Sequence, residues 1–295
     1  MKVAALYDIH GNLPALDAVL QEVEQEHPDL ILVGGDIVPG PMPRATLERL
    51  LALGDKIHYI RGNCEREVVA AFDGLPLDPG MSKEVSQRMR WTAKQLEPSQ
   101  RDFLASLPEH LALTIEGLGE VLFCHGSPRS DEEILTVATP EPRLREALAG
   151  VKQRIIVCGH THMQYERHLD EKTVVNAGSV GMPYAEPGAY WLELGPEIVL
   201  RRTPYDLEQA AAAVRASGYP QAEDFAANNI LRPPKAAEVT ELFERSATQR
   251  SQPGPRKRLR NHSPYGIQMF FTCEASLKNS SPSPCTESTQ SRGCP

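Results

Sequence analysis

The chain has 295 residues, of which 41% are hydrophobic, and a formal net charge of −8. That length suits one large domain or two small ones with a sizeable core, and no apolar run reaches the roughly 18 residues of a membrane span. The charge is uneven: residues 246–295 carry +5 and residues 1–245 carry −13, so the body lacks the basic stripe of a long nucleic-acid channel.

In chain order, Val3 to Leu6 is an apolar run of strand length. Asp8 and His10 follow where that strand should end. Residues i and i+2 of an extended segment point the same way, so Asp8 and His10 make half a metal site at the strand's carboxyl end. Leu13, Leu16, Val19, Leu20 and Val23 recur at helical spacing and predict a helix over 13–26. Leu30 to Val33 is a second strand, leading to Gly34-Gly35-Asp36. Leu47, Leu50, Leu51 and Leu53 mark another helix, closed by Gly54. Ile57 to Ile60 predicts a third strand, followed by Gly62-Asn63-Cys64-Glu65. This alternation is the pattern of a parallel sheet with crossover helices.

Between Arg66 and Leu111 the strand signal stops. Met81 to Leu96 reads as a helix, and Ser99 is placed to cap a shorter one. Together they read as a helical insert overhanging the strand ends. Val121 to Cys124 resumes the sheet and delivers His125. Pro142 to Leu148 predicts a short helix. Ile155 to Cys158 is another strand, ending in Gly159-His160-Thr161-His162. Val174-Val175 leads into Asn176-Ala177-Gly178-Ser179. Two adjacent strands, Ala189 to Leu194 and Ile198 to Arg202, are joined by Gly195-Pro196, and 206–216 is a helix with Asp206 near its start. Residues 1–245 are expected to form the folded domain. Residues 246–295 are rich in Ser, Pro, Thr, Gln and Arg, and are expected to be a disordered basic tail. Three cysteines sit singly beside the motif blocks and no Cys-x-x-Cys pair occurs, which suits reduced thiols. The N-terminus enters a strand at once, with no signal peptide, so a cytoplasmic location is expected.

Five strand ends therefore carry Asp8 and His10, Asp36, Asn63, His125, and His160 with His162. Burying so many polar groups without partners costs several kcal/mol each. A pair of divalent cations would satisfy them. The imidazole and carboxylate set suits manganese above all, with iron, zinc, nickel or cobalt as alternatives.

These ordered blocks, Asp8-x-His10, Gly35-Asp36, Gly62-Asn63, His125-Gly126 and Gly159-His160-Thr161-His162, resemble the calcineurin-like metallophosphoesterase family. The likeness runs to about residue 235. It is strongest to the small bacterial and archaeal phosphodiesterase branch, with its helical insert and Asn-x-Gly-Ser loop. The resemblance implies an α/β fold of four layers (α/β/β/α), two mixed sheets flanked by helices with the insert over the metals. It implies that Asp8, His10 and His162 hold one metal, that Asn63, His125 and His160 hold the other, and that Asp36 bridges them. Asp36, Asn63 and His10 are the expected catalytic residues. The implied reaction is hydrolysis of a phosphodiester by a metal-bridging hydroxide. Phosphomonoesters, protein phosphate and dinucleoside polyphosphates stay open as substrates.

One departure stands out. Where many members have His after the Asn of the third block, this chain has Cys64. The role of Glu65 is open. Asn12, Cys64, Arg66, Asn176 and Ser179 are candidates to touch a small phosphate-ester substrate, although Asn176 and Ser179 equally suit a turn and Arg66 a salt bridge. His27, His58, His110, His168 and His262 lie off the blocks and read as structural or exposed. Ser127 has no evident base. The rival reading is a non-catalytic scaffold of this fold, disfavoured by the complete ligand set; a nuclease is disfavoured by the acidic body. No membrane contact is expected, and homo-oligomerisation stays open.

Overall fold

The computed structural model describes residues 1–250. Their strands form two five-stranded sheets. The first contains β1 (Val3–Leu6), β2 (Leu30–Val33), β3 (Ile57–Tyr59), β9 (Ala189–Leu194) and β10 (Ile198–Thr203), in the order β10-β9-β1-β2-β3. The second contains β4 (His110–Ile115), β5 (Gly119–Cys124), β6 (Ile155–Cys158), β7 (Tyr165–Leu169) and β8 (Lys172–Asn176), in the order β4-β5-β6-β8-β7. Each sheet is mixed. β1, β2 and β3 are parallel, while β9 runs antiparallel to β1. β5, β6 and β8 are parallel, with β4 and β7 antiparallel at the edges.

Alternation along the strands explains the layers. Val3, Ala5 and Tyr7 face inward and pack with Val121, Phe123, Val157 and Val175 of the other sheet. Ala4 and Leu6 face outward, against Leu16, Val19, Leu20 and Val23 of α1 (Leu13–Glu26). On the far side, Ile156, Cys158 and Val174 pack under Leu144 and Ala147 of α6 (Glu141–Ala147). The result is the four-layer α/β/β/α order. Read from residues alone, the chain supports only one mixed sheet, whose strand ends share one edge. Here those ends come from two sheets and meet across the seam between them.

The remaining helices are α2 (Pro43–Leu51), α3 (Asn63–Phe72), α4 (Lys83–Ala93), α5 (Pro98–Ser106), α7 (Leu207–Ala216), α8 (Ala222–Phe225) and α9 (Ala236–Arg250). α3, α4 and α5 form the insert. Ser82 caps α4 through its side chain. α5 is capped by Glu97 with Gln100 at N3, so Ser99 lies inside the first turn and is not the cap. Asp206 caps α7 as expected. α9 continues to Arg250, so residues 246–250, assigned to the tail from composition, extend a helix that packs on the body. The rest of the expected tail, and His262 with it, lies outside the described residues. Among the described residues no helix is long and apolar enough to cross a membrane.

Candidate metal centre

Each ligand-type residue sits just past a strand, where the chain must turn sharply. Asp8 (φ 54°), His10 (φ 47°), Asp36 (φ 52°), His160 (φ 65°) and His162 (φ 58°) all have left-handed backbones. Asp and His tolerate that region better than most residues, but it still costs on the order of 1 kcal/mol each and persists where the surroundings over-determine it. The neighbouring glycines make the close approach feasible. A Cβ on Gly159 would lie 2.5 Å from Asp8 Oδ2, and one on Gly62 would lie 2.2 Å from Asp36 Oδ1. That accounts for the glycine beside the ligand in these two blocks.

The side chains converge at the seam and are almost fully buried. His10 Nε2 lies 3.1 Å from His162 Nε2, and His162 Nε2 lies 3.4 Å from Asp8 Oδ1. Donor atoms on one tetrahedral cation with bonds of about 2.0–2.1 Å stand about 3.3 Å apart. The two edges at His162 fit that, and the third, from His10 Nε2 to Asp8 Oδ1, is wider at 3.9 Å. Asp36 spans the middle, with Oδ2 3.7 Å from His10 Nε2 and Oδ1 3.5 Å from His125 Nε2. Asp8 Oδ1 is also 3.8 Å from His125 Nε2. The His125 and His160 rings meet edge to face at 5.3 Å. Asp8 Oδ1, Asn63 Oδ1 and His125 Nε2 are buried and make no hydrogen bond within the protein. Buried polar atoms in that condition cost several kcal/mol unless a partner meets them. The donor set therefore fits divalent metal binding.

Tautomers follow from the partners. His125 Nδ1 lies 2.9 Å from the Gly34 carbonyl and His162 Nδ1 lies 2.9 Å from the Met182 carbonyl. A carbonyl only accepts, so both Nδ1 atoms carry the proton and both Nε2 atoms face the centre. Burial, reinforced by the His162 charge, lowers His10 to about 4. Burial and the His125 charge lower His160 to about 3. Burial works against the Asp36 and Asp8 carboxylates, but neighbouring histidines hold both below the usual range. Burial also works against His125⁺, yet Asp36 and Asp8 raise it to about 10. Ionised carboxylates and neutral imidazoles are the ligand forms; His125 must give up a proton when a cation binds.

The surrounding residues mostly shape the centre. Glu65 is buried and accepts from four backbone N–H groups: Asp36 and Gly62 at 2.8 Å through Oε2, Ile37 at 2.8 Å and Val38 at 3.3 Å through Oε1. This resolves its open role, since it holds the loop that presents Asp36. Cys64 donates its N–H to Asp36 Oδ1 at 3.0 Å. Its Sγ lies within 4.8 Å of donor atoms of His10 and Asp36, closer to the centre than the sequence suggests. Burial first, then Asp36, pushes the thiol well up, so it stays protonated.

The other expected substrate residues are engaged within the protein. Asn12 caps α1, accepting from Ala15 N–H at 3.3 Å, and donates to the Gly181 carbonyl at 3.0 Å. Asn176 donates to the Gly159 carbonyl and Thr161 Oγ1 and accepts from Gly178 N–H. Ser179 donates to the Asp8 carbonyl and accepts from Met182 N–H, both at 2.7 Å. Arg66 is paired with Glu67, Asp131 and Glu132. These geometries describe caps, turns and a salt-bridge cluster. His27, His58, His110 and His168 are exposed. Two residues that sequence reasoning passed over lie close by. Tyr184 stacks on His162 at 5.2 Å. Arg88, buried on the inner face of α4, exerts its charge on Tyr184 and Tyr219.

Comparison with known proteins agrees with this geometry. The chain is 27% identical over 241 residues to an uncharacterized protein of Methanocaldococcus jannaschii, covering 74% of this chain and 94% of that protein. It is 26% identical over 200 residues to phosphodiesterase YfcE of Escherichia coli, covering 64% and 85%. A crystal structure of a metallophosphoesterase from Sphaerobacter thermophilus superposes with a TM-score of 0.61 at 27% identity, covering 77% of this chain and 98% of the other. The model of the calcineurin-like phosphoesterase superfamily domain matches residues 1–194. That span holds every ligand-bearing strand end described above, and the chain belongs to the calcineurin-like phosphoesterase superfamily, as a metal-dependent phosphoric ester hydrolase.

Proposed function

We propose that this protein hydrolyses phosphodiesters at a dinuclear centre. Asp8, His10 and His162 would hold one cation, Asn63, His125 and His160 the other, and Asp36 would bridge them. The observation that carries the reading is the position of Asp36, with one carboxylate oxygen toward His10 and the other toward His125. Held by these residues, divalent ions would supply Lewis acidity and a water made nucleophilic near neutral pH. The protein's own part is to orient and to exclude solvent. Glu65 fixes the Asp36 loop, the Gly34 and Met182 carbonyls set the imidazole tautomers, and burial keeps the site's dielectric low. Cys64 adds no proton donor of suitable acidity at the position where an imidazole could stand. The phosphodiester preference follows the likeness to YfcE and the poor acid at position 64.

The test is to strip the protein, reload it with manganese, and assay a panel of phosphodiesters, phosphomonoesters and dinucleoside polyphosphates, with elemental analysis alongside. Two ions per chain and a phosphodiester optimum are expected. Full activity at one ion per chain would overturn the dinuclear reading.

A further inference from the structure

His162 stands outside regular structure. It lies in a loop between β6 and β7 with a left-handed backbone. Its ring edge is fixed by Nδ1 to the Met182 carbonyl at 2.9 Å. Its ring face is covered by Tyr184, with centroids 5.2 Å apart and planes inclined by only 18°. The Tyr184 N–H also donates to the His162 carbonyl at 3.2 Å. Main chain and ring of Tyr184 thus both grip the same residue.

Tyr184 is itself braced from behind. Val239, Phe243 and Ala247 recur every four residues along α9 and form its buried stripe, packing with Ile134, Met163 and Tyr184. The Phe243 ring lies 6.2 Å from that of Tyr184. One position on, Glu244 locks the helix to the body. Its carboxylate accepts from Thr136 Oγ1 at 2.6 Å, Thr139 Oγ1 at 2.9 Å and Arg143 Nη2 at 2.7 Å. α9 lies beyond residues 1–194, the span that the superfamily domain matches.

We propose that Tyr184 is a positioning residue: stacked on His162 and braced by Phe243 of α9, it sets the angle at which His162 Nε2 meets the cation shared with Asp8 and His10. The inference rests on the dinuclear reading above. The physical ground is that an imidazole held at one edge only can still tilt about that hydrogen bond, and a ring packed flat on its face removes that freedom. Outer partners of this kind typically govern metal affinity by about 10- to 100-fold.

The test uses the full-length protein, stripped and titrated with cobalt(II) by calorimetry, with the visible spectrum of the bound ion recorded. Four variants are compared with wild type: Tyr184→Phe, Tyr184→Leu, Phe243→Ala and, as a remote core control under α6, Leu144→Ala. Tyr184→Phe keeps the stack and should match wild type in both binding steps. Tyr184→Leu and Phe243→Ala should weaken one step by about tenfold or more, leave the other unchanged, and alter the cobalt spectrum. Leu144→Ala should lower the melting temperature and move neither step. Unchanged steps in Tyr184→Leu, or equal weakening of both steps, would overturn the inference. Should Tyr184→Leu fail to fold, Phe243→Ala, which removes the brace behind Tyr184, decides alone. Wild-type protein that takes up no cobalt would overturn the dinuclear reading and this inference with it, and that result is seen before any variant is compared.

Discussion

Glu65 holds Asp36 by its main chain: Glu65 Oε2 accepts the Asp36 N–H at 2.8 Å, and the same oxygen accepts the Gly62 N–H at 2.8 Å. One carboxylate thereby ties the loop after β2 to the start of α3, which carries Asn63. Substitution by Gln turns one of the two oxygens into a donor facing buried N–H groups. An unsatisfied buried donor costs about 1–3 kcal/mol, and two are at stake. Glu65→Gln should lose about 2–5 kcal/mol of stability in urea titration of the metal-free protein. A loss under about 1 kcal/mol would show that the loop is held by other means.

Asp36→Asn should remove nearly all turnover and lower metal content, because one side chain faces both imidazole groups. His27→Ala, at the exposed end of α1, should change neither. Steady-state rates with elemental analysis of both variants check this. Substantial activity in Asp36→Asn with metals present would show that Asp36 is not the bridge.

Chelation should destabilise the fold as a whole. Asp8, His10, Asp36 and Asn63 hang from the first sheet, and His125, His160 and His162 from the second. Cations bound as proposed would tie the sheets together. At a free ion concentration of 100 times the dissociation constant, one site adds about 2.7 kcal/mol. Calorimetry with and without chelator should show a clear fall in melting temperature, reversed by manganese; equal melting curves would contradict the site.

The protonated thiol of Cys64 is a poor acid, so in the proposed reaction it would give the leaving oxygen little help. General acid assistance is worth about 10²–10⁴-fold. Aryl phosphodiesters should therefore outrun alkyl ones by a wide margin, and Cys64→His should narrow the gap. The measurement is log kcat/KM against leaving-group pKa. A flat line for the natural sequence would point to another acid.

The candidate ligands were legible because their signal is local: a short apolar strand, a glycine, then Asp, Asn or His. Strand alternation with helices exposed most of the central sheet for the same reason. Other features were hidden for physical reasons. β4 and β7 are edge strands whose outer positions face solvent, so their polar residues, such as His110, Glu166 and His168, mask the strand pattern. The division into two sheets depends on which strands pair, and β1 pairs with β9 far along the chain. α3 begins at a ligand, Asn63, so its first turn reads as part of the motif. The stack of Tyr184 on His162 joins residues that share no pattern, and the burial of α9 is set by Ile134 and Met163.

The pairing of β1 with β9 also fixes an order of events during synthesis. Val3 pairs with Leu194, so one edge of β1 stays open until that partner leaves the ribosome. At about 5–20 residues per second the wait is about 10–40 s. β4 to β8 are neighbours in sequence between residues 110 and 176 and close sooner, since low contact order speeds folding. Pulse-labelled hydrogen exchange during refolding should protect β5, β6 and β8 before β1. That outcome would place the locking of the Asp8 turn after the second sheet has formed.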